Sequence, residues 1–167
     1  LARPYLDTHL TADSAERQTA LHEQEIQQRL QLLAGVEAFS SLNQAELREL
    51  AESLHDAPFI KGDVMTKQGA VAHWLYFLVQ GEADVWLEVS NQPRRFLNTL
   101  QAGSVFGEMG LLTGEPRRTT VTARTDALCY RLDKIGFQKI IQARPEIAEE
   151  CARTIAERER QIALAHA

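Results

Sequence analysis

Residues 106–121 read FGEMGLLTGEPRRTTV, and this stretch decides what kind of fold the chain must build. Gly107, Gly110 and Gly114 allow backbone conformations closed to other residues and let a ligand approach the main chain. A short helical turn starting near Gly107 would aim unpaired backbone N–H groups outward, which suits an anion. Glu108 follows the first glycine; ionised, it only accepts hydrogen bonds, so it fits a sugar hydroxyl and not a phosphate. Arg117, held by Pro116, offers a planar donor fork that matches a phosphate. A hydroxyl-reading carboxylate beside a phosphate-reading arginine describes a site for a ribose phosphate, and an apolar wall nearby would take a base. Such a site needs strands on either side to hold the loop.

The flanking sequence supplies them. From His55 the apolar pattern has period two. HDAPFI, DVMTKQ, HWLYFLVQ, EADVWLEV, RFLNTLQ, SVF, RTTVTARTD and ALCYRL are short strand-like runs. Turn signals separate them at Gly62, Gly69, Gly81, Asn91–Pro93 and Gly103. Spacings of this kind predict antiparallel strands, and closure of the strands hides their edges. The expected fold is α+β: an eight-stranded antiparallel β-roll or jelly-roll barrel flanked by N-terminal helices and two C-terminal helices.

Outside the strands the period is helical. Residues 1–10 lack periodicity and read as an extended lead-in. Ser14–Ala34 carries Ile26, Leu30 and Leu33 on one face, and Gly35 offers a left-handed stop. Asn43 with Glu46 forms a capping box ahead of Leu47, Leu50 and Leu54. After Asp133, Ile135, Phe137, Ile140 and Ile141 point mostly inward on one helix. Pro145 opens the next, with Ala148, Cys151, Ala152, Ile155 and Ile162 on its stripe and Glu149–Arg153 and Glu157–Gln161 as same-face neighbours. The organisation is therefore a segment and connector helix over 1–34, a bend and second helix over 35–54, the roll over 55–132 with the glycine-rich cassette at 106–121, and C-terminal helices over 133–167.

Composition narrows the function. The chain has 167 residues and a formal charge of −5, which argues against a dedicated nucleic-acid surface. No run approaches the roughly 18 apolar residues of a membrane span, and no signal peptide opens the sequence. Cys129 and Cys151 have no motif spacing and read as buried, neutral thiols. The five histidines form no metal-binding pattern, so neither a metal centre nor a cupin-like enzyme with paired histidines is expected. No nucleophile–base pair or triad appears, so the chain does not read as an enzyme. Trp74 and Trp86 read as packing residues, and Met65 and Met109 as core filler.

Phe106, Gly107, Glu108, Met109, Gly110, Leu111, Leu112, Pro116, Arg117, Thr120 and Val121 together resemble the phosphate-binding cassette of the cyclic nucleotide-binding domain family. The resemblance extends over about residues 30–160. It implies a regulatory sensor whose ligand is cAMP, more than cGMP, with no other cofactor. It also implies ligand-binding roles for Gly107, Glu108, Met109, Arg117, Arg118, Thr119 and Thr120. Glu108 would accept the ribose 2′-hydroxyl close to the Gly107 backbone. Arg117 would pair the cyclic phosphate, the Thr119 N–H would add a donor to it, and the Thr120 hydroxyl would lie near it.

The chain departs from the family at two adjacent places, Arg118 and Thr119. Arg118 either donates to a purine edge or points to solvent, and both readings stand. Arg153, Arg158 and Arg160 either cover the base or form a solvated face with Glu149, Glu150, Glu157 and Glu159. The sequence carries no helix-turn-helix after its last helix, so the expected context is a cyclic nucleotide-gated or mechanosensitive-like bacterial channel, or a transporter. That domain would sit on the cytoplasmic side of the inner membrane, with oligomerisation through the parent. The alternatives are the sensor of a soluble transcriptional regulator and a degenerate module that has lost its ligand.

Overall fold

In the computed structural model the described residues are 4–36 and 39–166, with side chains described from Ser14 onward except at 108, 109, 112, 154, 155, 158, 159 and 166. Helices α1 (Pro4–Ala34) and α2 (Gln44–Ser53) precede eight strands: β1 (His55–Phe59), β2 (Val64–Thr66), β3 (Trp74–Gln80), β4 (Ala83–Leu87), β5 (Arg95–Leu100), β6 (Val105–Phe106), β7 (Thr120–Ala123) and β8 (Ala127–Asp133). Helix α3 (Glu108–Thr113) lies between β6 and β7, and α4 (Lys134–Ala143) and α5 (Pro145–His166) close the chain. The strands form two four-stranded antiparallel sheets, ordered β1-β8-β3-β6 and β2-β7-β4-β5.

Strand β3 shows why the two sheets and the helices hold together. Its run LYFL, Leu75–Leu78, is buried without interruption because both of its faces are covered. Leu75 and Phe77 pack with Leu50, Leu54, Leu132, Phe137 and Ile147 in a core between one sheet and the helices. Tyr76 and Leu78 point the other way, into the roll, among Met65, Ala83, Leu100, Phe106, Val121 and Cys129. The Tyr76 and Phe106 rings stack there with centroids 5.1 Å apart. Cys129 is fully buried in this core, and burial pushes its thiol up to about 12. Neither cysteine forms a disulfide.

Several helical expectations change. Helix α1 already begins at Pro4, so the lead-in is not extended over residues 4–10; proline is at home in a first helical turn because its missing N–H has no partner there anyway. Gly35 does not adopt a left-handed conformation. Ile135 points outward at 66% exposure while Phe137 takes the core. Ala152 is exposed, Ile147 is fully buried in its place, and the side chain of Ile155 lies outside the described residues. A ten-residue helix such as α4 presents few inward positions, and the tilt that chooses among them comes from the sheet beneath it.

Polar bonds fasten the helices to one another. Buried Arg29 donates to the Ala51 carbonyl at 3.2 Å and to Asp56 at 3.3 Å, and lies over the Tyr130 ring, which pins α1 to the start of β1. Asn43 and Glu46 form the capping box of α2. Glu46 also accepts three hydrogen bonds from Arg144, at 2.8 to 3.1 Å, where α4 meets α5. The Arg144 guanidinium, with help from the Asn43 backbone N–H, holds the Glu46 carboxyl below its ordinary value of 4.5.

A carboxyl depressed in the folded state contributes stability that is present above its unfolded value and lost as pH falls through the folded one. The Glu46→Gln variant is therefore expected to show a shallower loss of stability than the parent chain below about pH 4.5. Urea midpoints measured from pH 6 to pH 3 check this; parallel acid slopes for the two proteins would contradict it.

Candidate functional site

The connection from β6 to β7 is built on its glycines. Gly107 caps the N-terminus of α3 at φ 92° and Gly114 closes its C-terminus at φ 72°, both in the left-handed region that strains other residues. Gly110 is required for a different reason. A Cβ there would collide with the Ala72 side chain and come within 3.2 Å of the Glu115 carbonyl. The helix is thus six residues long because two turns stop it, and it sits close to the β2–β3 loop because its middle residue has no side chain.

Arg117 is held from all sides by main chain. Its N–H donates to Ala70 at 2.9 Å and its carbonyl accepts from Gly69 at 2.8 Å, which carries the β2–β7 ladder onward beyond Thr66. Its guanidinium donates to the Trp74 carbonyl at 2.8 Å and to the Gly107 carbonyl at 3.4 Å. It lies 5.9 Å from the centre of the Tyr76 ring. The fork is therefore aimed before any ligand arrives. Trp74, whose carbonyl fixes it, is itself clamped, with Arg131 4.0 Å over its ring and His55 against its edge.

Around Arg117 opens a cleft of about 640 Å³ including its mouth, lined on its apolar side by Val85, Leu97, Leu100, Phe106, Val121 and Ile162. That lining, apolar with a few convergent polar groups, suits a small organic ligand. Gly107, Arg117, Arg118 and Thr119 all line it, together with Gly110, so the cleft brings these four expected site residues together. The side chains of Glu108 and Met109 lie outside the described residues; their backbone forms the first turn of α3.

Two expected residues have partners within the protein. Arg118 reaches the cleft but its guanidinium lies 3.7 Å from Glu115, both side chains being largely exposed. Thr120 is buried, and its hydroxyl accepts the Gln68 N–H at 3.0 Å. Thr119 and Val121 line the cleft and strand residues alternate, so Thr120 turns away and fastens the β2–β3 loop. On α5, Arg153 pairs with Glu150 and Arg160 with Glu157 on an exposed face, while Arg158 lies outside the described side chains.

The sequence reading missed the residues that close the cleft from the far side. Asn98 on β5, and Gln161 with buried Ile162 on α5, line it. Ile162 was legible as an inward position of the helical stripe, though not as facing a cleft. Asn98 had no signal, because a polar residue on a strand reads as outward; its register opposite Val85, two residues from buried Leu100, puts it on the inward side.

Residues 58–144 match the family of the cyclic nucleotide-binding domain, 87 of the 167 residues. The chain belongs to this family. It is 35% identical over 128 residues to a cyclic nucleotide-gated potassium channel of Rhizobium etli, a match covering 77% of this chain and 34% of that protein. It is 31% identical over 109 residues to the cAMP-dependent protein kinase regulatory subunit of Blastocladiella emersonii, covering 65% of this chain and 27% of that protein. The regulatory domain of Toxoplasma gondii PKA, solved with cAMP, superposes with a TM-score of 0.75 at 21% identity, over 81% of this chain and 51% of that one, and shares the fold. The chain spans about a third of the length of the curated channel relatives it matches.

This cyclic nucleotide-binding domain is a regulatory module and not an enzyme, as its family is. Among the described residues no helix is long and apolar enough to cross a membrane.

Proposed function

We propose that this domain senses a cyclic nucleotide, cAMP in preference to cGMP, and converts its binding into movement of α4 and α5 that gates a channel or transporter in a longer parent chain. The observation that carries this reading is the preset Arg117 fork beside the left-handed Gly107, at one end of an apolar cleft. In this reading Arg117 pairs the cyclic phosphate and the Thr119 N–H adds a donor. Glu108 accepts the ribose 2′-hydroxyl near the Gly107 backbone, and the wall of Val85, Leu100 and Val121 takes the base. Met109 and Arg118 border the ligand, while Thr120 serves it indirectly by holding the β2–β3 loop. The kinase-subunit relatives are named for cAMP, which favours that nucleotide.

Coupling follows from where α5 sits. Ligand in the cleft meets Ile162 and Gln161, so it favours the arrangement in which α5 lies over the roll. A ligand shifts an equilibrium only by its differential affinity for the two states. The junction of α4 and α5 moves with α5, and Arg144 there carries the change to α2 through Glu46. Channel relatives support a membrane-protein parent with this domain on the cytoplasmic side.

Titration calorimetry with cAMP and cGMP tests the sensor reading. Binding of cAMP tighter than cGMP is expected. Absence of heat with either nucleotide at high-micromolar domain would leave the interaction-module reading standing instead. Patch-clamp recording of the full-length parent with and without nucleotide tests the gating.

A further inference from the structure

We infer that Trp74 and Arg131 are positioning residues for Arg117: a ring-and-guanidinium clamp fixes the Trp74 carbonyl, and through it the donor fork. This deepens the cyclic nucleotide reading above and rests on it. Of the two main-chain acceptors of the Arg117 guanidinium, the Trp74 carbonyl is the closer, at 2.8 Å against 3.4 Å for Gly107. The aim of the fork therefore depends first on where that carbonyl stands. It stands at the end of a ladder. Trp74 is the first residue of β3, and its register partner Asp133 is the last of β8. Such an end pair has ladder neighbours on one side only, so it is where a sheet frays first.

Arg131 closes that end. It stands opposite Tyr76 and so lies diagonally across from Trp74, a separation that long and aromatic side chains bridge. Its guanidinium lies 4.0 Å from the centre of the indole. From β1, His55 stands opposite Arg131 and meets the indole edge-on, with ring centroids 6.0 Å apart. The clamp thus ties β1, β8 and β3 together at one level. The Arg131 Nε is buried with no hydrogen-bond partner. A buried donor left unpaired is costly; what the guanidinium gains in its place is the face of a ring that attracts a cation.

Neither Trp74 nor the Arg131 side chain lines the cleft, so both reach the ligand through Arg117. Trp74 and Tyr76 lie on one face of β3. The first ring carries Arg131 and the second carries Arg117 at 5.9 Å. One arginine holds the strand, and the strand holds the other arginine.

Calorimetric titration of cAMP into the parent domain, Arg131→Met, Arg131→Lys and Trp74→Leu, each repeated in an Arg117→Ala background, tests the clamp. Arg131→Met and Trp74→Leu are each expected to weaken binding by about 3- to 30-fold, the upper part of what a cation–π contact is worth. Arg131→Lys keeps a cation for the ring and should stay within about threefold of the parent. In the Arg117→Ala background neither loss should exceed about twofold, because no fork remains to be aimed. Reduced global stability does not produce this pattern, since a protein that is still almost wholly folded binds with its own affinity; melting curves verify that state. Trp74→Leu makes the same comparison if Arg131→Met does not fold. Equal losses in both backgrounds would overturn the inference, because Arg131 would then act by a route other than Arg117. A loss with Arg131→Met that Trp74→Leu fails to reproduce would overturn it too, in favour of bare charge. If both variants bind within about twofold of the parent while Arg117→Ala does not, the clamp falls and the phosphate assignment stands. A parent that binds neither cAMP nor cGMP overturns the cyclic nucleotide reading, and the clamp with it.

Discussion

Replacing Arg117 with Ala is expected to weaken cyclic nucleotide binding by about 30- to 5,000-fold, the equivalent of roughly 2–5 kcal/mol for truncating one partner of a hydrogen-bonded charge pair. The size of the loss has two sources. A bound phosphate would be left without its fork, and the Trp74 and Gly107 carbonyls would lose the donors they now have at 2.8 and 3.4 Å. Arg117→Lys separates the two. It keeps the charge but has no planar fork, so it should recover only part of the affinity. Calorimetric titration of the three proteins, with melting curves to confirm folding, checks this. Binding by Arg117→Ala within threefold of the parent would remove Arg117 from the phosphate.

The second large effect is expected at Gly107. Its φ of 92° strains any other residue, at about 1–3 kcal/mol. A Cβ there would stand 2.6 Å from the Arg117 Nη1 and 3.0 Å from the Trp74 carbonyl oxygen. Gly107→Ala should therefore lower the melting temperature by about 2–12 °C, at 2–4 °C per kcal/mol for a chain of this size. It should also weaken ligand binding, because the added methyl displaces the arginine. Gly114→Ala is the matched control. It shares the left-handed backbone, at φ 72°, but a Cβ there meets nothing within 4 Å. It should lose stability and keep its affinity. If both variants bind alike, the crowding of Arg117 at Gly107 does not govern the site.

What the sequence disclosed, and what it hid, follows from the range of the interactions involved. Most of the strands were readable because a local turn signal bounds them. The glycines at 62, 69, 81 and 103, and Asn91, all take the positive φ that such turns require. The capping box of Asn43 and Glu46 was readable for the same reason, since both partners lie within one turn. Non-local facts were not. Glu46 bonds Arg144, 98 residues away, and nothing near either residue announces the other. Within the site, the glycine-rich end of the cleft was legible because Gly107 to Thr119 is one continuous stretch. The far side of the cleft is assembled from β4, β5 and α5, so Asn98 and Gln161 became visible only when the roll brought them together. Thr120 adds a contact of the same non-local kind: its hydroxyl accepts the N–H of Gln68, 52 residues away, and secures a neighbouring loop.

The two hydrogen bonds between Arg117 and the Gly69–Ala70 pair have a consequence for where the chain tolerates extra length. The loops at 67–73 and 88–94 both join successive strands on the surface. In the first, lengthening by even one residue would slide Gly69 or Ala70 off the arginine's main chain and take the Trp74 carbonyl with it. In the second, Glu88 is tied to Gln68, but beyond it the exposed tip around Asn91 and Gln92 is crossed by one backbone bond, from Gln92 to Val89. Insertions succeed where little backbone bonding is disturbed. A peptide tag or a fluorescent reporter belongs between Asn91 and Gln92, where it leaves the arginine's support untouched.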